Sequence, residues 1–413
     1  MNVTGVIFVW LMIPLCCVAT AAESERGPQL TNVFVSGADG YHTYRIPALL
    51  VTPKGDLLAF CEGRKNSRSD TGDIDLLVKC SVDGGRTWSP QQIVWDDGPN
   101  TCGNPCPVVD QTTGVIWLPM TWNHGQDKES EITRNASKDS RRVFVTRSDD
   151  EGRTWAKPQE ITAQTKQPDW RWYATGPGVG IQLEHGRAKG RLLIPCDHSV
   201  GRPGGMLDSE SHVIYSDDHG QTWQLGGVIR PGVNECQVVE LSNGTLLCNM
   251  RNADRSSTTR AIATSADGGM TWSAVRHDPA LVEPICQASL LRYPMPSQGP
   301  SRLLFSNPAR AEPGQRRDLT VRMSQDEGKT WPISRVLWSG PAAYSCLAVL
   351  PDGAVACLFE AGDQHPYERI ALARFSRDWL TGHGDGSGTS KVQQVFTRPI
   401  LLDRVGSWMN LIP

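Results

Sequence analysis

The chain has 413 residues, with 41 lysines and arginines against 44 aspartates and glutamates, a net charge of −3 and 39% hydrophobic residues. That length can bury a large core in one or two domains. The balanced charge gives no polyanion-binding signature, so nucleic acid is not an expected partner.

In chain order, the first feature is residues 5–22, GVIFVWLMIPLCCVATAA, the only long apolar run. It ends in Ala19-Thr20-Ala21, which suits signal cleavage. No Lys or Arg precedes it, so an uncleaved membrane anchor stands beside the signal-peptide reading. Cleavage predicts a mature single domain over 23–413 with no stable membrane span. It also predicts a place on the secretory pathway: extracellular, periplasmic or lysosomal.

Short strand candidates then follow one another: Val33–Val35, Ile46–Val51, Asp56–Cys61, Leu76–Lys79, Arg142–Thr146, Arg191–Pro195 and His212–Tyr215. Cys236–Leu241, Thr245–Met250, Ala261–Thr264, Arg302–Phe305, Leu319–Met323, Leu347–Leu350 and Val355–Phe359 continue the series. Turn signals such as Pro53-Lys54-Gly55, Ser242-Asn243-Gly244 and Pro351-Asp352-Gly353 separate many of them. No 3.6-residue periodicity is sustained beyond the N-terminal segment, so the chain reads as all-β. The polar stretches Asn123–Asp139 and Thr165–Trp172 read as insertions that build a binding face, and Gly382–Ser390 as a flexible loop.

One octapeptide, S-x-D-x-G-x-T-W, recurs at Ser81–Trp88, Ser148–Trp155, Ser216–Trp223, Ser265–Trp272 and Ser324–Trp331. Recurrence at this scale marks a repeated supersecondary unit. Ser and Asp can bond backbone groups two or three residues ahead, Gly can take a positive φ, and Trp can wedge between sheets. Each copy is therefore expected to be a structural hairpin turn rather than a catalytic or metal site. Dividing the mature chain by six gives roughly 65 residues per unit, suited to four-stranded propeller blades. Residues 344–374 are strand-rich without an octapeptide, and the N-terminal strand is expected to complete this sixth unit.

Ten cysteines follow the apolar segment: Cys61, Cys80, Cys102, Cys106, Cys196, Cys236, Cys248, Cys286, Cys346 and Cys357. They can be disulfides, free thiols or a mixture. Cys102 and Cys106 flank a Gly-Asn-Pro turn and can pair locally; no second Cys/His pair completes a zinc site. No metal or organic cofactor is expected. Asn135 and Asn243 head N-x-S/T acceptor triplets.

Tyr44-Arg45-Ile46-Pro47, followed by five such turns (Asp-boxes), closely resembles the exo-α-sialidase (neuraminidase) family over residues 30–375, its secreted bacterial and lysosomal types alike. The resemblance implies a six-bladed β-propeller. It further implies a retaining hydrolase that removes terminal α-linked sialic acids from glycoproteins, glycolipids or oligosaccharides through a tyrosyl intermediate. Arg45, Arg251 in Asn249-Met250-Arg251-Asn252, and Arg316 match the three arginines that grip the substrate carboxylate, Arg317 being the alternative to Arg316. Tyr344 matches the nucleophile and Glu235 its activating base. Asp70, 25 residues after Arg45, matches the acid/base, with Asp73 and Asp75 as rivals. Glu360 matches the glutamate that orients Arg45. Arg64 is expected to line the site, with Trp122 or Asn123 as further contacts. A trans-sialidase or anhydro-releasing variant, a glycan-binding propeller without catalysis, and a neutral-sugar glycosidase are the competing readings. The last needs two carboxylates rather than an arginine triad.

Overall fold

The structure is a computed structural model describing residues 27–201, 207–255, 257–294 and 302–382. The N-terminal apolar segment and residues 383–390 of the expected flexible loop lie outside the described residues.

The described strands group into six antiparallel blades. Blade I is Thr43–Val51, Leu57–Arg64, Ile74–Ser81 and Gln92–Trp95. Blade II pairs Thr101–Gly103 and Val108–Val109 with Ile116–Asn123, then Arg142–Ser148 and Gln159–Glu160. Blade III pairs Trp170–Thr175 and Ile181–Gln182 with Leu192–Gly201, then Leu207–Ser216 and Gln224–Ile229. Blade IV is Val233–Glu240, Leu246–Asn252, Thr259–Ser265 and Arg276–Val282. Blade V is Ser289–Tyr293, Arg302–Pro308, Arg317–Ser324 and the first part of Ile333–Val349; the rest of that long strand opens blade VI. Val355–Ala361, Arg369–Phe375 and the N-terminal Gln29–Val35 complete blade VI.

Alternation along the strands explains the packing. Successive side chains point to opposite faces, and both faces of a blade are covered. In Leu57–Arg64, Leu57, Ala59 and Cys61 pack with blade VI residues such as Ala356 and Leu358. Leu58 and Phe60 pack with Ile116, Leu118 and Met120 of blade II. The possible local pairing of Cys102 and Cys106 is not formed: Asn104 between them takes φ 51°, which breaks the strand's alternation. Cys102 packs in the layer between blades I and II, and Cys106 in the layer between II and III. All ten cysteines of the described residues are free thiols.

The octapeptides are turns, each joining the third strand of a blade to its fourth. In the second copy Ser148 Oγ accepts from Gly152 N (2.8 Å), while Asp150 accepts from Thr154 N (2.8 Å) and Thr154 Oγ1 (2.6 Å). The other four repeat this net. Blade VI has no copy for a topological reason: its fourth strand comes from the N-terminus, so no third-to-fourth turn exists there.

The Thr154 hydroxyl, with backbone donors, holds the Asp150 carboxyl down to about 2, and Thr87 does the same for Asp83. Asp150→Ala is therefore expected to cost about 1–2 kcal/mol near neutral pH, by analogy with a lost cap. A depressed carboxyl stabilises fully above its unfolded pKa of ~4 and ceases to do so as pH falls toward ~2. Thermal unfolding of wild type and variant should thus converge near pH 2; an undiminished gap there would refute the carboxylate's role.

Candidate active site

Antiparallel order sorts the chain onto two faces. First-strand starts, second-strand ends and the loops joining second to third strands share one face; the octapeptide turns share the other. The repeat thus stabilises one face, and the other is left to irregular loops. There a cavity of about 390 Å³ opens where the inner strands converge. Arg45, Trp172, Glu235 and Tyr344 come from inner strands, Arg64, Asp197 and Arg251 from second strands. Asp70, Glu129, Arg141, Arg316 and Tyr367 come from the joining loops. The Asn123–Asp139 insertion contributes through the short helix Glu129–Thr133, and Thr165–Trp172 through Trp172.

Three guanidiniums surround the cavity floor. Arg45 donates from Nε to Glu360 Oε1 (3.0 Å) and from Nη2 to Glu360 Oε2 (3.3 Å). Burial opposes its charge, but Glu360 raises its pKa, so Arg45 stays cationic. Arg45 is turned inward by a register shift before Ala48 in which Ile46 takes φ 61°, a left-handed conformation costly for a β-branched residue. Glu360 Oε1 accepts from Ile46 N (3.0 Å) and Oε2 from Tyr344 N (3.1 Å), so one buried carboxylate fixes both segments. Arg251 Nη1 donates to Glu235 Oε2 (2.6 Å). Arg316 Nη1 donates to Tyr367 Oη (2.8 Å), and its guanidinium lies 5.5 Å from the Tyr344 ring centre. Arg317, by contrast, is 51% exposed and lies 3.8 Å from Asp318. Of the doublet, only Arg316 lines the cavity.

Tyr344 Oη donates to Glu235 Oε1 and accepts from Arg251 Nη1 (3.3 Å). Burial first, then the Glu235 carboxylate, push the phenol well above its ordinary pKa; Arg251, Arg316 and Arg45 pull it back. The resting group is a phenol held on a base, beside cations able to stabilise a phenolate. Across the floor, Asp70 is half-exposed at the cavity rim, 2.7 Å from Arg64 Nη2 and 3.3 Å from Arg45 Nη1. Burial opposes its ionisation, but Arg64 and then Arg45 outweigh this and hold the carboxyl below the usual range.

Asp73 and Asp75 do not reach the cavity: both pair with Lys65, and Asp75 also accepts from Tyr41 Oη. Neither Trp122 nor Asn123 lines it. Trp122 donates to Asp97 (2.7 Å), and Asn123 sits behind Arg141, accepting from its Nη1 (2.6 Å). Both face away because each is tied to a neighbouring loop.

Several cavity residues had no sequence motif to reveal them. Arg141 is buried against the Trp172 ring (3.8 Å). Tyr367 packs under Arg45 (4.1 Å). Glu62 holds Arg64 (2.6 Å) and accepts from Asn104 N (3.0 Å). A Cβ on Gly103 would meet the Glu62 carboxyl group, so a larger residue there would displace the carboxylate that holds Arg64. Of the described residues, Glu184, His185 and Glu240 have donor atoms close enough for a metal, but on the opposite face; Glu240 accepts from both backbone N–H groups and Glu184 pairs with Arg292.

A family model described as BNR repeat-like domain matches residues 55–357. The chain is 38% identical over 363 residues to a sialidase of Micromonospora viridifaciens, covering 85% of this chain and 54% of that protein. It thus spans about half the length of that relative. An exo-alpha-sialidase of Aspergillus fumigatus is 31% identical over 376 residues, covering 83% of this chain and 86% of that protein. The structure superposes on the Hadza microbial sialidase Hz136 with a TM-score of 0.76 at 34% identity, over 85% of this chain and 69% of that one.

Proposed function

The chain belongs to the sialidase family, and from that premise we propose that it is a retaining exo-α-sialidase acting on sialylated glycoproteins, glycolipids or oligosaccharides. The observation that carries the reading is Tyr344 bonded to Glu235 among Arg45, Arg251 and Arg316. Guanidinium forks suit a carboxylate, and a substrate with a carboxylate on its anomeric carbon would repel a carboxylate nucleophile. A phenol avoids that repulsion and needs a base.

Arg45, Arg251 and Arg316 hold the substrate carboxylate. Tyr344 Oη attacks the anomeric carbon as its proton passes to Glu235, and the glycosidic bond breaks with Asp70 protonating the leaving oxygen. A substrate carboxylate on Arg45 weakens that arginine's hold on Asp70, easing its protonation. Asp70 then takes a proton from water, which attacks the anomeric carbon; the bond to Tyr344 Oη breaks as Glu235 returns its proton to that oxygen. Two displacements at one carbon retain configuration. Export by the 5–22 segment is part of the same proposal; no helix among the described residues is long and apolar enough to cross a membrane.

Proton NMR of an α-sialoside incubated with the protein tests this. Free sialic acid appearing first as the α anomer is expected. The β anomer first would overturn retention, a transferred or anhydro sugar would overturn hydrolysis, and an unchanged substrate would overturn catalysis.

A further inference from the structure

Asp70 sits on a loop with little of its own to hold it. Residues 65–73 join the second and third strands of blade I, and the tip from Asn66 to Asp70 is exposed. Its internal bonds are local: Ser67 Oγ accepts from Ser69 N (3.1 Å), and Ser69 Oγ from Thr71 N (3.3 Å). Longer ties reach the body of the blades. Arg64 Nη1 donates to Arg68 O (2.7 Å), Arg64 and Arg45 pair with Asp70, and Arg68 Nη1 lies 3.1 Å from His365 Nε2. The last of these crosses from blade I to residues 362–368, the joining loop of blade VI. There Glu368 accepts from His365 N (2.8 Å). The His365 ring stands edge-on to Tyr367, centres 4.8 Å apart, and Tyr367 packs under Arg45. A substrate carboxylate competes for Arg45, so during turnover the tip depends on Arg64 and on this crossing.

We propose that His365 is a positioning residue for the acid/base step: its neutral imidazole accepts from Arg68, clasps the Asp70 loop to blade VI, and releases it when the ring is protonated. This rests on the sialidase reading. Both ring nitrogens face N–H groups, Nε2 toward Arg68 and Nδ1 toward Tyr367 N (3.3 Å). A neutral ring has one lone pair, and the nearer, charged donor claims it. The imidazolium has none. The charged and titratable groups facing His365 are Arg68 and Arg45 from blade I, with Glu360, Tyr367 and Glu368 from blade VI. Burial first, then Arg68, lower its pKa below the ordinary ~6.5, with Glu368 opposing. The clasp is therefore complete above that ordinary value and is lost as pH falls through the lowered one.

The test compares kcat/KM of wild type, His365→Ala, His365→Gln, Arg68→Ala and the double alanine variant. Two substrates are used: sialic acid α-linked to a second sugar, and an aryl α-sialoside. This ratio reports steps through the first displacement. A sugar leaving group needs the proton from Asp70 there, whereas a phenol of low pKa hardly does. At pH ~7.5, His365→Ala should lose about tenfold on the sugar-linked substrate and less than about threefold on the aryl one, a split that a merely structural role would not make. Arg68→Ala should match it, and the double variant should be no worse than either, because all three remove one contact. His365→Gln keeps an acceptor at every pH, so it should stay within about threefold of wild type at pH ~7.5. Its rate relative to wild type should then rise about fivefold toward pH ~4.5, where wild type has lost the clasp. Equal losses on the two substrates, additive losses in the double variant, or a flat ratio across pH would each overturn the proposal. If wild type cleaves neither substrate, the sialidase reading fails by itself, and NMR titration still decides the clasp. The His365 imidazole resonance, identified by its absence from His365→Gln, should titrate below ~6.5 in wild type and move up by about half a unit or more in Arg68→Ala. An unmoved midpoint overturns it.

Discussion

Tyr344→Phe is expected to lower kcat by on the order of 10³-fold or more while substrate and sialic acid binding stay within a few-fold. The change removes a single oxygen. The ring remains, and with it the packing beneath Arg45 (4.9 Å) and Arg316 (5.5 Å). Glu235 keeps its 2.6 Å bond from Arg251, so no charge is left unpaired and the melting temperature should barely move. What disappears is the oxygen that is bonded to Glu235 Oε1. Burial disfavours a free phenolate here, whereas transfer of the proton to Glu235 as the bond to the sugar forms needs no free phenolate, and the arginines stabilise charge that builds on the oxygen. A fluorinated sialoside that slows the second displacement should add mass to the peptide containing Tyr344 in wild type and not in the variant. If Tyr344→Phe kept more than about a tenth of kcat, the tyrosyl intermediate would be wrong even with hydrolysis intact.

Much of the site was legible because its residues sit at fixed places in a repeated unit. Arg45 and Tyr344 open first strands, Arg251 and Glu360 close second strands, and each is embedded in a local motif. Their convergence across 315 residues, as between Arg45 and Glu360, follows once the blades are arranged in a ring. Arg141, Tyr367 and Asp197 were invisible because what they touch depends on neighbouring blades and loops, which no local pattern encodes. Arg141 matters through Trp172, and Tyr367 through Arg45. The strands Thr101–Gly103, Val108–Val109 and Ile181–Gln182 are too short for a period of two to show. Cys102 and Cys106 misled for the opposite reason: close in sequence, they face different inter-blade layers.

Glu360→Ala should be the most damaging single change, destabilising the protein by about 3–5 kcal/mol and removing most activity. Glu360 is fully buried and accepts from Arg45 Nε and Nη2, Ile46 N and Tyr344 N. Without it, a buried guanidinium loses its main counter-charge and two backbone N–H groups lose their partners. Ile46 also loses the bond that supports its left-handed backbone, so the turn that aims Arg45 inward can relax. The carboxylate ties Arg45, the proposed carboxylate-binding arginine, to Tyr344, the proposed nucleophile, so its loss loosens both at once. Asp70 alone cannot replace it, being half-exposed and 3.3 Å from Arg45 Nη1. Glu360→Gln separates charge from geometry. Its amide oxygen can still accept from one N–H, but its NH₂ faces a cation, so an intermediate loss of stability is expected. Chemical denaturation of the three proteins, read beside kcat/KM, decides the matter. Near-wild-type stability in Glu360→Ala would mean that Arg45 is held by packing under Tyr367 rather than by this carboxylate.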